Sequence, residues 1–185
     1  FNAIKDQPPS QASVQSLQRF LQIFTTGEQA DDARGLLAEQ QKTLSDPTVR
    51  AKSEAAAALA SGNAASAIAD LQRAVATNNK DADAIGTLGE AYSQKGDRAR
   101  AVAQLQKAIA LDPQNTSRSK WDSLLKTNRY WLLIQQGDAA LKANNPAQAQ
   151  TYYQQAQRVD NSDSYAILGL GDVAAARKDY PTAEG

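Results

Sequence analysis

Histidine and cysteine are both absent from this sequence, so any catalytic chemistry would have to use carboxylates, lysine, tyrosine or hydroxyl groups. The absence of histidine and cysteine removes the commonest general base, the usual zinc ligands and the thiol nucleophile. Glu90 and Asp138 could be imagined as a glycosidase pair, but that reaction needs two carboxyl groups held across one sugar bond. Exposed helix faces offer no pocket that would raise the pKa of the acid. We therefore predict a protein that is not an enzyme and that has no cofactor or metal site.

The composition points to an all-helical chain without a strongly charged partner. The 185 residues include 20 basic and 20 acidic side chains, so bulk electrostatics do not favour a nucleic acid or a membrane surface. Alanine and glutamine are frequent and β-branched runs are scarce, which favours helices. No apolar run approaches the roughly 20 residues needed to cross a bilayer. We expect a monomeric chain that is not inserted in a membrane and that is part of a longer protein.

Residues 82–115 have the pattern of a helical hairpin. Apolar residues recur at helical spacing, and small residues occupy places where two helices would cross closely. A glycine followed by an aspartate would end one helix and begin the next, and a proline follows the second helix. The residues in these places are Ile85, Leu88, Gly89, Tyr92, Gly96, Asp97, Ala101, Leu105, Ala108 and Pro113. One hairpin cannot bury its own apolar faces, so neighbours of the same kind are predicted.

This spacing resembles the tetratricopeptide repeat, whose period of about 34 residues carries W-x2-L-G-x2-Y in the first helix and A-x3-F in the second. The departures are Ile85 in place of Trp and Leu105 in place of Phe. The resemblance implies an all-α fold, a right-handed solenoid of helical hairpins. An extra helical insertion interrupts the period.

The repeat frames divide the chain into four parts. We predict an N-terminal connector over 1–13, three repeats over 14–115 with the first degenerate, a helical insertion over 116–129, and one full and one truncated repeat over 130–185. Ser10 or Ser13 would be the N-cap of the first repeat, and Pro181 would begin the last helix, with Ala183 in register. The insertion is either an N-terminal extension of the next helix or a separate unpaired helix, and the pattern leaves both alternatives open.

The first helix of each hairpin lines the concave side in such repeats, and this implies a set of groove-facing residues. Trp131 and Tyr165 share one repeat position, beside a row of carboxylates at another. Such a surface would suit sugar rings or peptides, whereas the simpler alternative is that Trp131 packs against the insertion and the acids are only solvated. We expect Trp121 to pin the insertion to its neighbour, and Tyr92 and Tyr153 to lie in the core. The candidates for groove binding are Glu90, Trp131, Ile134, Asp138, Tyr165, Leu168 and Asp172.

Three stretches resemble a more particular family. They are KWDSLLKTNRYWLLIQQGDAALKAN over 120–144, VDNSDSYAILGLGDVAAARKDYPTAE over 159–184, and SQKGDRA over 93–99. They are similar to the periplasmic repeat region of the bacterial cellulose synthase operon protein C family. The resemblance implies a scaffold in the periplasm, within a longer protein anchored in the outer membrane by its C-terminal part. Its partners would be other cellulose secretion components and, as a further candidate, the cellulose chain. The alternative is a generic repeat adaptor that assembles a soluble complex through a peptide in its groove.

Overall fold

The computed structural model describes residues 1–178, which form helices joined by short turns and contain no strand. The predicted all-α fold is confirmed. The predicted positions of Pro181 and Ala183 lie outside the described residues. The helices are α1 (Asn2–Lys5), α2 (Gln11–Ile23), α3 (Glu28–Thr43), α4 (Pro47–Ala60), α5 (Ala64–Thr77), α6 (Ala82–Lys95), α7 (Arg98–Leu111), α8 (Arg118–Lys142), α9 (Pro146–Val159) and α10 (Tyr165–Ala176).

The helices pack as successive hairpins along the chain. The pairs are α2 with α3, α4 with α5, α6 with α7, and α8 with α9, while α10 packs against α9 and α8. Most of these helices have a short polar residue as their N-cap, whose side chain accepts a hydrogen bond from a free backbone N–H group in the first turn. They are Ser10, Asp46, Asn63, Asp81, Asp97 and Asn145. No described helix combines the length and the hydropathy that a bilayer span requires.

The central hairpin is built as its sequence pattern predicts. Gly96 ends α6 in the left-handed conformation, with φ of 82°, and Asp97 caps α7. A Cβ atom on Gly89 would lie 2.7 Å from Cγ of Leu105, so the two helices cross at this glycine. Ala101 is fully buried at the same crossing. The small residues therefore set how closely α6 and α7 approach.

The N-terminal part differs from the expected connector over 1–13. It contains the short helix α1, and α2 begins at Gln11, within the predicted connector. Ser10 is the N-cap, and its capping box with Ser13 begins the helix earlier than the repeat count indicates. Phe24 lies just after α2 and is 53% exposed. A repeat count aligns equivalent positions, but local capping decides where each helix begins.

The predicted insertion is joined to the following helix, so the first of the two alternatives is the one observed. Residues 118–129 form the amino-terminal half of α8, which runs for 25 residues without interruption. Thr116 and Ser117 precede it. No proline or glycine separates the insertion from the helix that it extends, and the backbone hydrogen bonds therefore continue.

The two halves of α8 belong to different hydrophobic clusters. The amino-terminal half contributes Trp121 to a cluster with Ile85 of α6 and Leu105 of α7. The carboxyl-terminal half contributes Tyr130 and Ile134 to a cluster that α9 and α10 complete. With 25 residues, α8 is 11 residues longer than the first helices α4 and α6, which corresponds to about 17 Å at about 1.5 Å per residue. The later hairpins are therefore displaced along α8 from the earlier ones.

Candidate functional site

Trp131 and Tyr165, the predicted aromatic pair, are in contact with each other. Their ring centroids are 5.0 Å apart with an interplanar angle of 63°, so one ring meets the other edge to face. Trp131 is half-buried in α8, whereas Tyr165 at the start of α10 is 55% exposed. Aromatic pairs favour this geometry. The two rings therefore form one joint surface, and the more accessible ring is that of Tyr165.

Arg98, at the start of α7, adds a positive charge to this surface. Its guanidinium carbon lies 5.7 Å from the centroid of the Trp131 ring, a distance at which cation–π attraction operates. Its Nε atom is buried and has no hydrogen-bond partner within residues 1–178. Sequence reasoning missed Arg98 because it belongs to a second helix, and the groove-facing positions were read only from first helices.

Asp138 and Asp172 lie near the hydroxyl group of Tyr153, a core residue that is 1% exposed. This hydroxyl donates a hydrogen bond of 2.7 Å to Oδ1 of Asp138. Burial, followed by the hydrogen bond and charge of Asp138 and the charge of Asp172, raises the pKa of Tyr153. The phenol of Tyr153 therefore stays protonated and continues to donate its hydrogen bond to Asp138. Asp138 accordingly has a structural partner as well as an exposed position.

The Tyr153 ring itself is held between two helices at glycines. A Cβ atom on either Gly137 or Gly169 would lie 2.5 Å from Cε1 of Tyr153. The ring thus fills the space that these glycines leave on α8 and α10. This packing fixes the two helices that carry Asp138 and Asp172.

Tyr130 also holds α10 against α8. The backbone N–H of Ala166 donates a hydrogen bond of 3.3 Å to its hydroxyl oxygen. Burial, together with the neighbouring carboxylates of Asp163 and Asp160, raises the pKa of Tyr130 to about 12. The hydroxyl therefore remains neutral at physiological pH and fixes the start of α10, where Tyr165 lies.

Glu90 lies apart from the other candidates and has two partners of its own. It accepts a hydrogen bond of 3.1 Å from Nε1 of Trp121 and one of 2.6 Å from Nζ of Lys120. The Trp121 ring covers Gly86, where there is no room for a Cβ atom. As predicted, Trp121 pins the insertion to its neighbour, at 1% exposure. Glu90 therefore helps to hold α8 on α6.

The separation of Glu90 from Asp138 argues against a glycosidase pair. Glu90 contacts Trp121, and Asp138 follows Trp121 by 17 residues on the same helix, which corresponds to about 25 Å. Retaining and inverting glycosidases hold their carboxyl groups no more than about 10 Å apart. These two carboxylates cannot flank one glycosidic bond.

Ile134 requires a correction as a groove candidate. It is 5% exposed and belongs to the cluster formed by α8, α9 and α10, so it has almost no surface for a ligand. Leu168 on α10 is 62% exposed. The accessible part of the candidate surface, called here the α8–α10 surface, consists of Arg98, Trp131, Asp138, Tyr165, Leu168 and Asp172.

Comparisons with known proteins identify the repeats and a set of relatives. Tetratricopeptide repeat family models match residues 58–125 and 134–185. The chain is 61% identical over 170 residues to cellulose synthase operon protein C of Escherichia coli K12, an alignment that covers 92% of this chain and 15% of the relative. The protein of the same name from Salmonella typhimurium is 60% identical over 170 residues, which cover 92% of this chain and 14% of the relative.

A more distant relative and one solved structure are also similar to the chain. Cellulose synthase operon protein C of Xanthomonas axonopodis pv. citri is 28% identical over 134 residues, covering 72% of this chain and 8% of the relative. The solved structure is PilF of Pseudomonas aeruginosa, with 18% identity and a TM-score of 0.42, covering 99% of this chain and 73% of that one. The chain spans only about 15% of the length of the first two relatives named.

Proposed function

Because this chain belongs to the tetratricopeptide repeat family, we propose that it is a non-catalytic scaffold of a bacterial cellulose synthesis and export system. The observation that carries the proposal is the 61% identity over 170 residues to cellulose synthase operon protein C. On this proposal the chain works in the periplasm, as part of a longer protein that is anchored in the outer membrane. Its partners are other components of the secretion system.

The α8–α10 surface is the proposed place of contact with the exported glucan. Tyr165 offers an accessible aromatic face, and Arg98 supplies hydrogen-bond donors beside it. Asp138 on α8 and Asp172 on α10 supply hydrogen-bond acceptors. A neutral sugar chain needs this combination of an apolar face and flanking polar groups. Stacking on an exposed ring contributes only about 1 kcal/mol, so binding by this chain alone should be millimolar or weaker.

Titration with a soluble cello-oligosaccharide tests the proposal, with tryptophan fluorescence and amide NMR as readouts. We expect shifts at the amides around Trp131 and Tyr165, and we expect the double variant Trp131→Ala/Tyr165→Ala to lose them while keeping its helical circular dichroism. Phe24→Ala removes an exposed aromatic ring outside this surface and should leave binding unchanged. If saturating oligosaccharide perturbs neither the tryptophan signal nor any of these amides, the chain does not bind glucan here.

The second candidate function is docking of a peptide from a partner protein on the same surface. Two observations favour it: Arg98 covers the Trp131 ring, and the exposed side chain of Leu168 is aliphatic. An aliphatic contact suits an apolar peptide side chain better than a sugar hydroxyl. Comparing the binding of purified secretion components with that of the oligosaccharide distinguishes the two. Loss of only the protein contact in the double variant would favour docking.

A further inference from the structure

A second surface lies between α8 and the end of α9, and none of the α8–α10 surface residues lines it. It is an open cavity of about 460 Å³. Four of its residues recur at helical spacing on the amino-terminal half of α8, and two end α9. These residues, called here the basic notch, are Asp122, Leu125, Lys126, Arg129, Arg158 and Val159.

The notch exists because α8 is longer than the helix that pairs with it. The second helices α5, α7 and α9 each have 14 residues, and the first helices α4 and α6 that pair with α5 and α7 have 14 as well. The 25-residue helix α8 is paired with α9 alone in its hairpin. The difference of 11 residues leaves about three turns of α8 without a second helix. This unfilled position is the size of a short helix.

The walls of the notch carry uncompensated positive charge. Lys126 forms an ion pair of 2.9 Å with Asp160, and Asp122 forms one of 2.7 Å with Arg118. Within residues 1–178, neither Arg129 nor Arg158 forms an ion pair. Both are exposed. Two guanidinium groups therefore face one opening in a chain that has no net charge.

The floor of the notch is apolar and joins the two hydrophobic clusters. Leu125 packs against the cluster of α6 and α7, and Val159 packs against the cluster of α9 and α10. Both are half-buried, so each still presents part of its side chain to the opening. An apolar floor with a cationic rim complements a helix that has one apolar face and flanking carboxylates.

We propose that the basic notch is a docking site for an acidic amphipathic helix of a partner protein. The helix takes the second-helix position that α9 leaves unfilled along α8. Its apolar side chains cover Leu125 and Val159, and its carboxylates pair with Arg129 and Arg158. The inference is independent of glucan binding, because it uses a different set of residues.

The probe is a 14-residue helical peptide with leucine at every third or fourth position and glutamate on the flanking positions. The matched control is a peptide of the same length and leucine spacing in which each glutamate is replaced by lysine. We expect the intact chain to bind the acidic peptide and not the basic one, with an affinity that falls as salt is raised. The variant Arg129→Glu/Arg158→Glu should lose about tenfold in affinity for the acidic peptide and gain affinity for the basic one.

A second variant controls for the change in total charge. Arg19→Glu/Lys107→Glu reverses two exposed cations outside the notch and should bind the acidic peptide as the unmodified chain does. Circular dichroism checks that both variants keep their helical content. Equal binding of the two peptides, or equal loss in both variants, would overturn the proposal. Self-association of the chain that only the notch variant abolishes, without peptide binding, would assign the notch to a second copy instead.

Discussion

At the scale of single residues, the fold depends on small side chains at helix crossings. Ala101 is fully buried in a cluster with Leu88 and Tyr92, and Gly89 faces Leu105 across the same hairpin. Gly89 has no room even for a Cβ atom, and we expect little room for a larger group at Ala101, because protein interiors are closely packed. The small size of Gly89 and Ala101 therefore allows α6 and α7 to approach each other closely.

Enlarging Ala101 should force the central hairpin open. We expect Ala101→Leu to lower the free energy of unfolding by about 1–3 kcal/mol, the usual cost of overpacking a core. Thermal and denaturant unfolding measure this change. Ala99→Leu is the control, since Ala99 is exposed on the same helix, and it should have much less effect. A thermal midpoint of Ala101→Leu equal to that of the unmodified chain would show that the packing at this crossing is misassigned.

At the scale of helices, α8 serves two hairpins at once. Its amino-terminal half covers α6 and α7 through Trp121, and its carboxyl-terminal half packs with α9 and α10. Asn128, in the amino-terminal half, is 1% exposed and donates a hydrogen bond of 2.7 Å to Ser93 of α6. Because the backbone of α8 is continuous, the position of α6 and α7 fixes the position of α9 and α10. We call the helices up to α7 the earlier block of hairpins, and α8 to α10 the later block.

Removing Trp121 should detach the amino-terminal half of α8. We expect Trp121→Ala to cost about 3–5 kcal/mol, as for other large aromatic residues removed from a core. Faster hydrogen exchange at residues 118–129 would locate the change in this half. Trp131→Ala is the matched control and should cost less, because Trp131 is only half-buried. Equal losses in the two variants would contradict the role of Trp121 as the anchor of this helix.

At the scale of the whole molecule, the insertion determines how far apart the two blocks of hairpins lie. Because α8 is 11 residues longer than α4 and α6, we expect the later hairpins, α8 to α10, to lie about 17 Å further along its axis than in a regular repeat. Stacking geometry at this point does not follow from one repeat to the next, as it does in a regular solenoid. The displacement also creates the basic notch.

Deleting residues 116–129 should restore the 34-residue register and bring the two blocks together. We expect small-angle scattering of the deletion variant to show a shorter maximum dimension than the loss of one short helix explains. The variant should also be less stable, because Gln135 would take the repeat position of Trp121. If the scattering profile changes only by the lost mass, the insertion does not control how the earlier and later hairpins are arranged.

The sequence alone determined the hairpins and their packing positions, because these follow from local periodicity and capping. Residues such as Tyr92, Gly96 and Leu105 lie where a 34-residue pattern predicts them. The pattern also indicated a helical insertion and a role for Trp121 in pinning it. Each of these inferences came from the spacing of residues within a helix or within one repeat of about 34 residues.

Only the tertiary structure decided which side chains remain available on the surface. The burial of Ile134, the pairing of Glu90 with Trp121 and the position of Arg98 over Trp131 involve helices that are separate in sequence. A repeat count assigns equivalent places to equivalent residues, but the longer α8 moves the later hairpins along its axis. Which residues of the earlier and later hairpins contact each other depends on how the helices stack in space. The periodicity of the sequence carries no information about this stacking.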